Sequence, residues 1–99
     1  MGSGYIGILS AELHLPENHS LKGKRKELLS VKAQLQRRFG ASVAEVDHHE
    51  LWQRCTLTVA CVARGARDAE NLAAGAERWL SGQEWQLVRS NLTLVSPDD

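Results

Sequence analysis

The sequence predicts an α+β sandwich in which one antiparallel four-stranded sheet carries two helices on one face. Three observations lead there. Four segments alternate apolar and polar residues with a period of two, two others repeat apolar residues at helical spacing, and they succeed one another as strand, helix, strand, strand, helix, strand. Ninety-nine residues suffice for one core and are too few for two lobes around a cleft, so a single domain is expected over residues 5–95. A composition of 42% hydrophobic and 24% charged residues is that of a folded chain and argues against disorder or a fibrous repeat.

The first strand is expected over residues 5–15, YIGILSAELHL. Leu9, Ala11, Leu13 and Leu15 share one face, and Ile6, Ile8, Ser10, Glu12 and His14 share the other, wetter one. Ahead of it, residues 1–4 read as a flexible start or as the small Gly-Ser leader that an expression vector leaves behind. Pro16, Glu17, Asn18 and His19 form a polar turn, and Ser20 is placed to cap a helix, because its hydroxyl accepts from an unpaired first-turn amide. Leu21, Leu28, Val31, Leu35 and Phe39 follow at spacings of seven, three, four and four, one stripe of a helix that Gly40 ends.

Residues 42–47, SVAEVD, form a short second strand with Ala44 and Val46 opposed to Val43, Glu45 and Asp47. A turn at His48, His49 and Glu50 leads to a third strand, in which Cys55, Leu57, Val59 and Cys61 alternate with Trp52, Arg54, Thr56 and Thr58. Centred on His49 and Glu50, that turn sets Glu45 opposite Arg54, a cross-strand charge pair that supports register at ~0.2–1 kcal/mol. Cys55 and Cys61 lie about 20 Å apart at roughly 3.3 Å per residue, too far for a disulfide, and read as buried thiols. Gly65 breaks the pattern, and Asp68 is expected to cap a second helix that turns Ala69, Leu72, Ala73, Ala76 and Leu80 inward and ends near Gly82. The last strand, residues 85–95, alternates Val88, Leu92 and Leu94 with Leu87, Arg89, Asn91 and Thr93, and residues 96–99 form a short acidic tail.

With each helix crossing back over the same side of the sheet, this order is that of a ferredoxin-like βαββαβ fold. The uncovered face then presents Ile6, Ile8, Val43, Glu45, Trp52, Arg54, Leu87 and Arg89, a partly apolar surface suited to protein contact.

Charge is segregated along the chain. Twelve Lys and Arg balance twelve Asp and Glu, yet residues 20–39 hold seven cations, Lys22, Lys24, Arg25, Lys26, Lys32, Arg37 and Arg38, against Glu27 alone. This segment carries a net of six positive charges and the remainder six negative, so attraction to a polyanion is local to the first helix. Lys22, Lys26 and Arg37 fall opposite the apolar stripe; Lys24 falls within it and Arg25 and Lys32 border it, so those three are expected to reach around the packed edge with wet heads. The pattern fits a surface that tracks phosphates, and RNA is the expected polyanion.

Other chemistry finds less support. Domains of the RNA-recognition-motif type share this element order and stack bases on aromatics of the two central strands. Here the first strand turns Ile6, Ile8, Ser10 and Glu12 outward and the third offers Trp52 alone, so that platform is missing and Glu12 repels phosphate. Asp47, His48, His49 and Glu50 have the residue types of a metal site, but adjacent His side chains on an extended segment point apart, and a polar turn is the simpler reading. No GxSxG elbow, Walker loop or GxGxxG fingerprint occurs. Acylphosphatases share the fold and size, but their glycine-rich, arginine-ending phosphate loop has no counterpart in residues 15–20. No apolar run approaches the roughly 18 residues of a membrane span, and the start lacks the layout of a signal peptide, so the expected location is the cytoplasm.

ELHLP at residues 12–16, SLKGKR at 20–25, SVAEVD at 42–47 and LWQR at 51–54 together resemble the YlxP-like family of small bacterial proteins, over almost the whole chain from Tyr5 to about Val95. The resemblance implies a ferredoxin-like fold and a bacterial cytosolic origin. From the company such genes keep with those of translation and ribosome maturation, it also implies a place near the small ribosomal subunit. Ser20, Leu21, Lys22, Lys24 and Arg25 match the family's SLKxKR block, and Glu45, Asp47, Trp52, Gln53 and Arg54 match its hairpin block. Where members often carry Glu, this chain has Gly23, which weakens the first helical turn and raises local positive charge. The family brings no established catalytic residues.

The expected function is a non-enzymatic accessory domain that binds structured RNA through the seven cations of the first helix. The partner that the resemblance implies is ribosomal RNA or the small ribosomal subunit, and no cofactor, metal, membrane or small-molecule substrate is expected. The competing expectation is a protein-interaction or homodimerisation module on the open sheet face, with Trp52 and Leu87 as anchors among Ile6, Ile8, Arg54 and Arg89. Glu12, His14, Glu45, Asp47, Trp52 and Arg54 stand as either a site or a surface.

Overall fold

Period-two alternation becomes strand and helical spacing becomes helix in the computed structural model, which describes residues 2–98. The elements run β1 (Tyr5–His14), α1 (Leu21–Phe39), β2 (Ser42–Asp47), β3 (Arg54–Ala63), α2 (Ala66–Ser81) and β4 (Gln86–Val95). The strands pair antiparallel in the order β2-β3-β1-β4, so the fold is ferredoxin-like. Leu9, Ala11 and Leu13 of β1 and Cys55, Leu57, Val59 and Cys61 of β3 are buried beneath Leu28, Val31 and Leu35 of α1 and Ala69, Ala73, Ala76 and Leu80 of α2. Met1 of the expected leader and Asp99 of the expected tail lie outside the described residues. The residues next to them meet: the Ser3 amide donates to Asp98 Oδ2 at 2.6 Å and the Ser96 hydroxyl to the Gly4 carbonyl at 3.4 Å.

α1 begins and ends as its sequence dictates. Ser20 is extended, and its hydroxyl accepts from the Gly23 amide at 3.0 Å; Gly40 takes the left-handed conformation at φ 60°. α2 starts differently. Its N-cap is Gly65, which has no side chain to offer, and Asp68 lies within the first turn, where its charge favours the helix dipole instead of capping it. Small residues let α2 lie close on β1. A Cβ at Gly7 would run into the Ala69 carbonyl oxygen and stand 3.1 Å from the Ala73 Cβ, so the helix backbone rests where a side chain would be.

Two side-chain assignments change because the strands are irregular. The β2–β3 connection does turn on His49 and Glu50, with the Leu51 amide donating to the His48 carbonyl at 3.1 Å, but it is a loop over residues 48–53 and not a tight hairpin, and Trp52 belongs to that loop and not to β3. The longer loop slides β2 so that Val43 faces Val59 and Glu45 faces Leu57, not Arg54. The slide is by an odd number of residues, which turns the strand over: Val43 and Glu45 lie on the helix side and Ala44 on the open face. In β4, Arg89 faces Glu12 while Leu87 faces Leu13, which leaves Val88 as the extra residue of a bulge. Leu87 therefore crosses to the helix side and packs against the core, so it is no anchor of the open face. Ile6, Ile8, Arg54 and Arg89 remain on that face.

The open face is graded. Ile6 lies between Val62 and Val95, and Ile8 between Ala60 and Thr93; Ser10 lies between Thr58 and Asn91; Glu12 lies between Thr56 and Arg89, and His14 between Arg54 and Gln86. Its apolar end is next to the chain termini and its charged end next to the β2–β3 loop.

Gly7→Ala is expected to destabilise the fold by about 1–3 kcal/mol, since α2 must lift from β1 to admit the methyl group. Urea denaturation checks this: the midpoint falls with little change in slope, whereas an unchanged midpoint would show that α2 does not press on β1.

Candidate nucleic-acid interface

α1 displays its cations unevenly around its axis. At 3.6 residues per turn, Lys22, Arg25, Lys26, Lys32 and Arg37 fall within an arc of about 140° on the side away from α2. Lys22, Arg25, Lys26 and Arg37 are exposed and Lys32 is half-buried. None of the five has an acidic side chain at ion-pair distance among the described residues. Arg38 lies on the other flank, with its guanidinium 5.6 Å from the centre of the Trp79 ring of α2 and its Nε donating to Gln34 Oε1 at 3.3 Å. Arg37 and Arg38 in the last turn suit the helix dipole, but the first turn contains no acid and holds Lys22 and Lys24.

Lys24 does not reach the surface. It is 2% exposed, and its ammonium lies 2.7 Å from Glu45 Oε2 and donates to the His48 carbonyl at 2.5 Å. The expectation that it contributes to an RNA-facing surface is corrected on this geometry. Its stem lies in the apolar stripe with Leu28, Val31 and Leu35, and once β2 is turned over, Glu45 lies directly beneath it. A buried ammonium with a carboxylate at contact distance has no reason to snorkel. The expected Glu45–Arg54 pair is likewise absent; Glu45 binds Lys24, and Arg54 Nη1 donates to Glu12 Oε2 at 2.9 Å.

The loop over residues 48–53 is tied down on several sides. The Leu15 amide donates to the Gln53 carbonyl at 2.8 Å, Gln53 Nε2 donates to the carbonyls of Pro16 and Asn18 at 3.2 and 3.1 Å, and Asn18 Nδ2 donates to the carbonyls of Trp52 and Ser20. Gly23 leaves room for this: a Cβ there would stand 2.5 Å from Asn18 Oδ1. His48 takes a left-handed φ of 64°, its amide donating to Asp47 Oδ1 at 2.8 Å and its carbonyl accepting from Lys24.

Around this loop the open face gathers Glu12, His14, His48 and Arg54. Glu12 pairs with Arg54 on one oxygen and has His48 Nε2 3.9 Å from the other; Arg54 compensates its charge, which is not bare as the strand pattern alone suggests. His14 Nδ1 pairs with Gln86 Oε1 at 3.1 Å. His49 points elsewhere, with Nε2 3.1 Å from the Glu45 carbonyl. Trp52 is 55% exposed and lines a shallow concavity of about 410 Å³ together with His14, Glu50, Leu51, Gln53 and Arg54. Among the described residues no three His, Cys, Asp or Glu side chains converge as metal ligands. No helix is long and apolar enough to cross a membrane.

Sequence reasoning missed the ion pair and the loop network. The signal for the first was present: a lysine inside an apolar helical stripe needs a counter-charge in the facing layer, and Glu45 alternates in step with Val43. Burial, with a further push from Glu45, drives the Cys55 thiol up to about 11 from an ordinary 9.0.

Compared with known families, residues 6–91 match the model of a family described as protein of unknown function (DUF503). No curated protein matches the chain.

Lys24→Met is expected to cost about 3–5 kcal/mol, because it leaves Glu45 charged and unpaired, and the double variant Lys24→Met, Glu45→Leu is expected to recover most of that loss. Urea denaturation of both variants checks it; additive losses would deny the coupling. The folded state holds the Cys55 proton more tightly than the unfolded chain does. Its stabilising effect is therefore complete below about pH 9 and is lost as pH rises from there towards 11. A thiol reagent at pH 8 is expected to modify this cysteine only as fast as the protein opens, which is read by comparing the rate with and without urea.

Proposed function

The chain belongs to the DUF503 family of proteins of unknown function, and from that footing we propose that it is a non-enzymatic accessory domain that binds structured RNA along the outer flank of α1. The contacts are Lys22, Arg25, Lys26, Lys32 and Arg37, with Arg38 at the margin. The observation that carries this reading is the placement of Lys22, Arg25 and Lys26 in the first two turns of α1. There they oppose the helix dipole with no acid in the first turn and none at ion-pair distance among the described residues, while the chain as a whole is neutral. A merely solvated helix gains from the opposite arrangement. From Lys22 to Arg37 the flank extends about 22 Å at ~1.5 Å per residue, enough to meet several phosphates of one duplex edge. The likeness to the YlxP-like family supports a cytoplasmic role in translation or ribosome maturation, with ribosomal RNA or the small ribosomal subunit as the partner.

A second reading, a protein contact or homodimer on the open face, draws on its apolar end. Ile6 and Ile8 lie there beside Val62, which is 67% exposed, and Val95, which is 38% exposed. Light scattering at high micromolar concentration separates the two: a monomer speaks against self-association.

RNA affinity is expected to fall steeply between about 50 and 200 mM salt, and Arg25→Glu with Lys32→Glu to weaken binding more than tenfold while lowering the salt slope by about two. Titration of a fluorescent RNA hairpin at several salt concentrations measures both. Salt-independent binding that ignores the double reversal would overturn the reading.

A further inference from the structure

Trp52 lies outside the apolar core. It is 55% exposed, yet the loop that carries it is among the most firmly anchored parts of the surface, tied through its own carbonyl to Asn18, through Gln53 to Leu15, Pro16 and Asn18, and through the His48 carbonyl to Lys24. An indole carried on an anchored backbone loses less freedom on binding than one carried on a free loop. The neighbouring concavity of about 410 Å³ adds groups suited to a flat polar ring. His14 turns Nδ1 to Gln86, which leaves Nε2 without a hydrogen-bond partner among the described residues, and Arg54 commits Nη1 to Glu12 and keeps its other N–H groups.

The place of this loop relative to α1 supplies the occupant. Asn18 bonds both the Trp52 carbonyl and the Ser20 carbonyl, and Lys24 reaches the His48 carbonyl, so the first turn of α1 adjoins the loop directly. The helical turns that carry Lys22 and Arg25 thus start beside the loop that carries the indole. Glu12 is no obstacle, since Arg54 pairs with it.

We propose that the Trp52 concavity takes one unpaired RNA base, stacked on the indole and met at its edge by His14 and Arg54, next to a duplex held on α1. This inference rests on the reading of α1 as the phosphate-contacting surface and adds a preference to it: a helix interrupted by a bulged nucleotide over a perfect one. It also differs from stacking on central-strand aromatics, because the ring comes from a loop at the end of the sheet.

The experiment uses two RNA hairpins that differ only in a single bulged 2-aminopurine, titrated at about 50 mM salt with the full-length protein and with Trp52→Ala, Trp52→Phe and Arg25→Glu/Lys32→Glu. Circular dichroism and the urea midpoint verify that the variants fold. The bulged hairpin is expected to bind about tenfold more tightly than the perfect one, with a change in 2-aminopurine emission on binding. Trp52→Ala is expected to remove that advantage and leave the perfect hairpin unaffected, and Trp52→Phe to retain most of it. Equal affinities that Trp52→Ala does not alter, with salt-dependent binding intact, would overturn the stacking site while the role of α1 stands. Absence of binding to either hairpin would remove the reading of α1, and this inference with it. A change of molecular mass in Trp52→Ala with unchanged RNA affinity would assign Trp52 to a protein contact instead.

Discussion

The charged contact between Lys24 and Glu45 fixes more of this molecule than its size suggests. It joins α1 to the edge strand β2 inside the core, and the same ammonium holds the His48 carbonyl, so one side chain sets helix, strand and loop relative to one another. Such a pair adds little net stability over an apolar substitute, because both charges lose their water. What it contributes is position. Slipping β2 by one residue would bury Ala44 or Val46 against the helix and leave Lys24 facing no carboxylate, a cost that apolar packing alone would not impose.

The consequences reach the surface. By taking Lys24 out of solvent, the pair separates one structural lysine from the cations of the outer flank, which have no acid at ion-pair distance among the described residues. By holding the His48 carbonyl, it anchors one end of the loop that displays Trp52, and Asn18 and Gln53 anchor the other. The phosphate-facing flank and the aromatic loop are thus separate surfaces built on one shared support.

Most of the fold is legible in the sequence, because element type follows from periodicity and element ends from Ser20, Gly40 and Gly82. The first strand is readable residue by residue, since Leu9, Ala11 and Leu13 are buried as their alternation requires. What escapes is parity. Alternation assigns two faces but does not say which one is inward, and a loop longer than a tight turn or a single bulge reverses the answer, as happens for Val43, Glu45 and Leu87. The candidate surface is legible in the same partial way: the cationic segment is plain, whereas the removal of Lys24 from it depends on a residue twenty-one positions away in another element. Asp68 illustrates a smaller ambiguity, since an acid near a helix start serves equally as cap or as first-turn charge, and only Gly65 decides between them.

The contact between Ser3 and Asp98 brings the two chain ends to one corner of the sheet. β1 runs from that corner to the Trp52 loop over ten residues, roughly 30 Å at ~3.3 Å per residue. A tether, label or bead attached at either end is therefore held at the pole opposite the indole. Immobilised there, the protein would offer the loop and the start of α1 to a bulky polynucleotide, and the apolar end of the graded face and the start of α2 would lie close to the support.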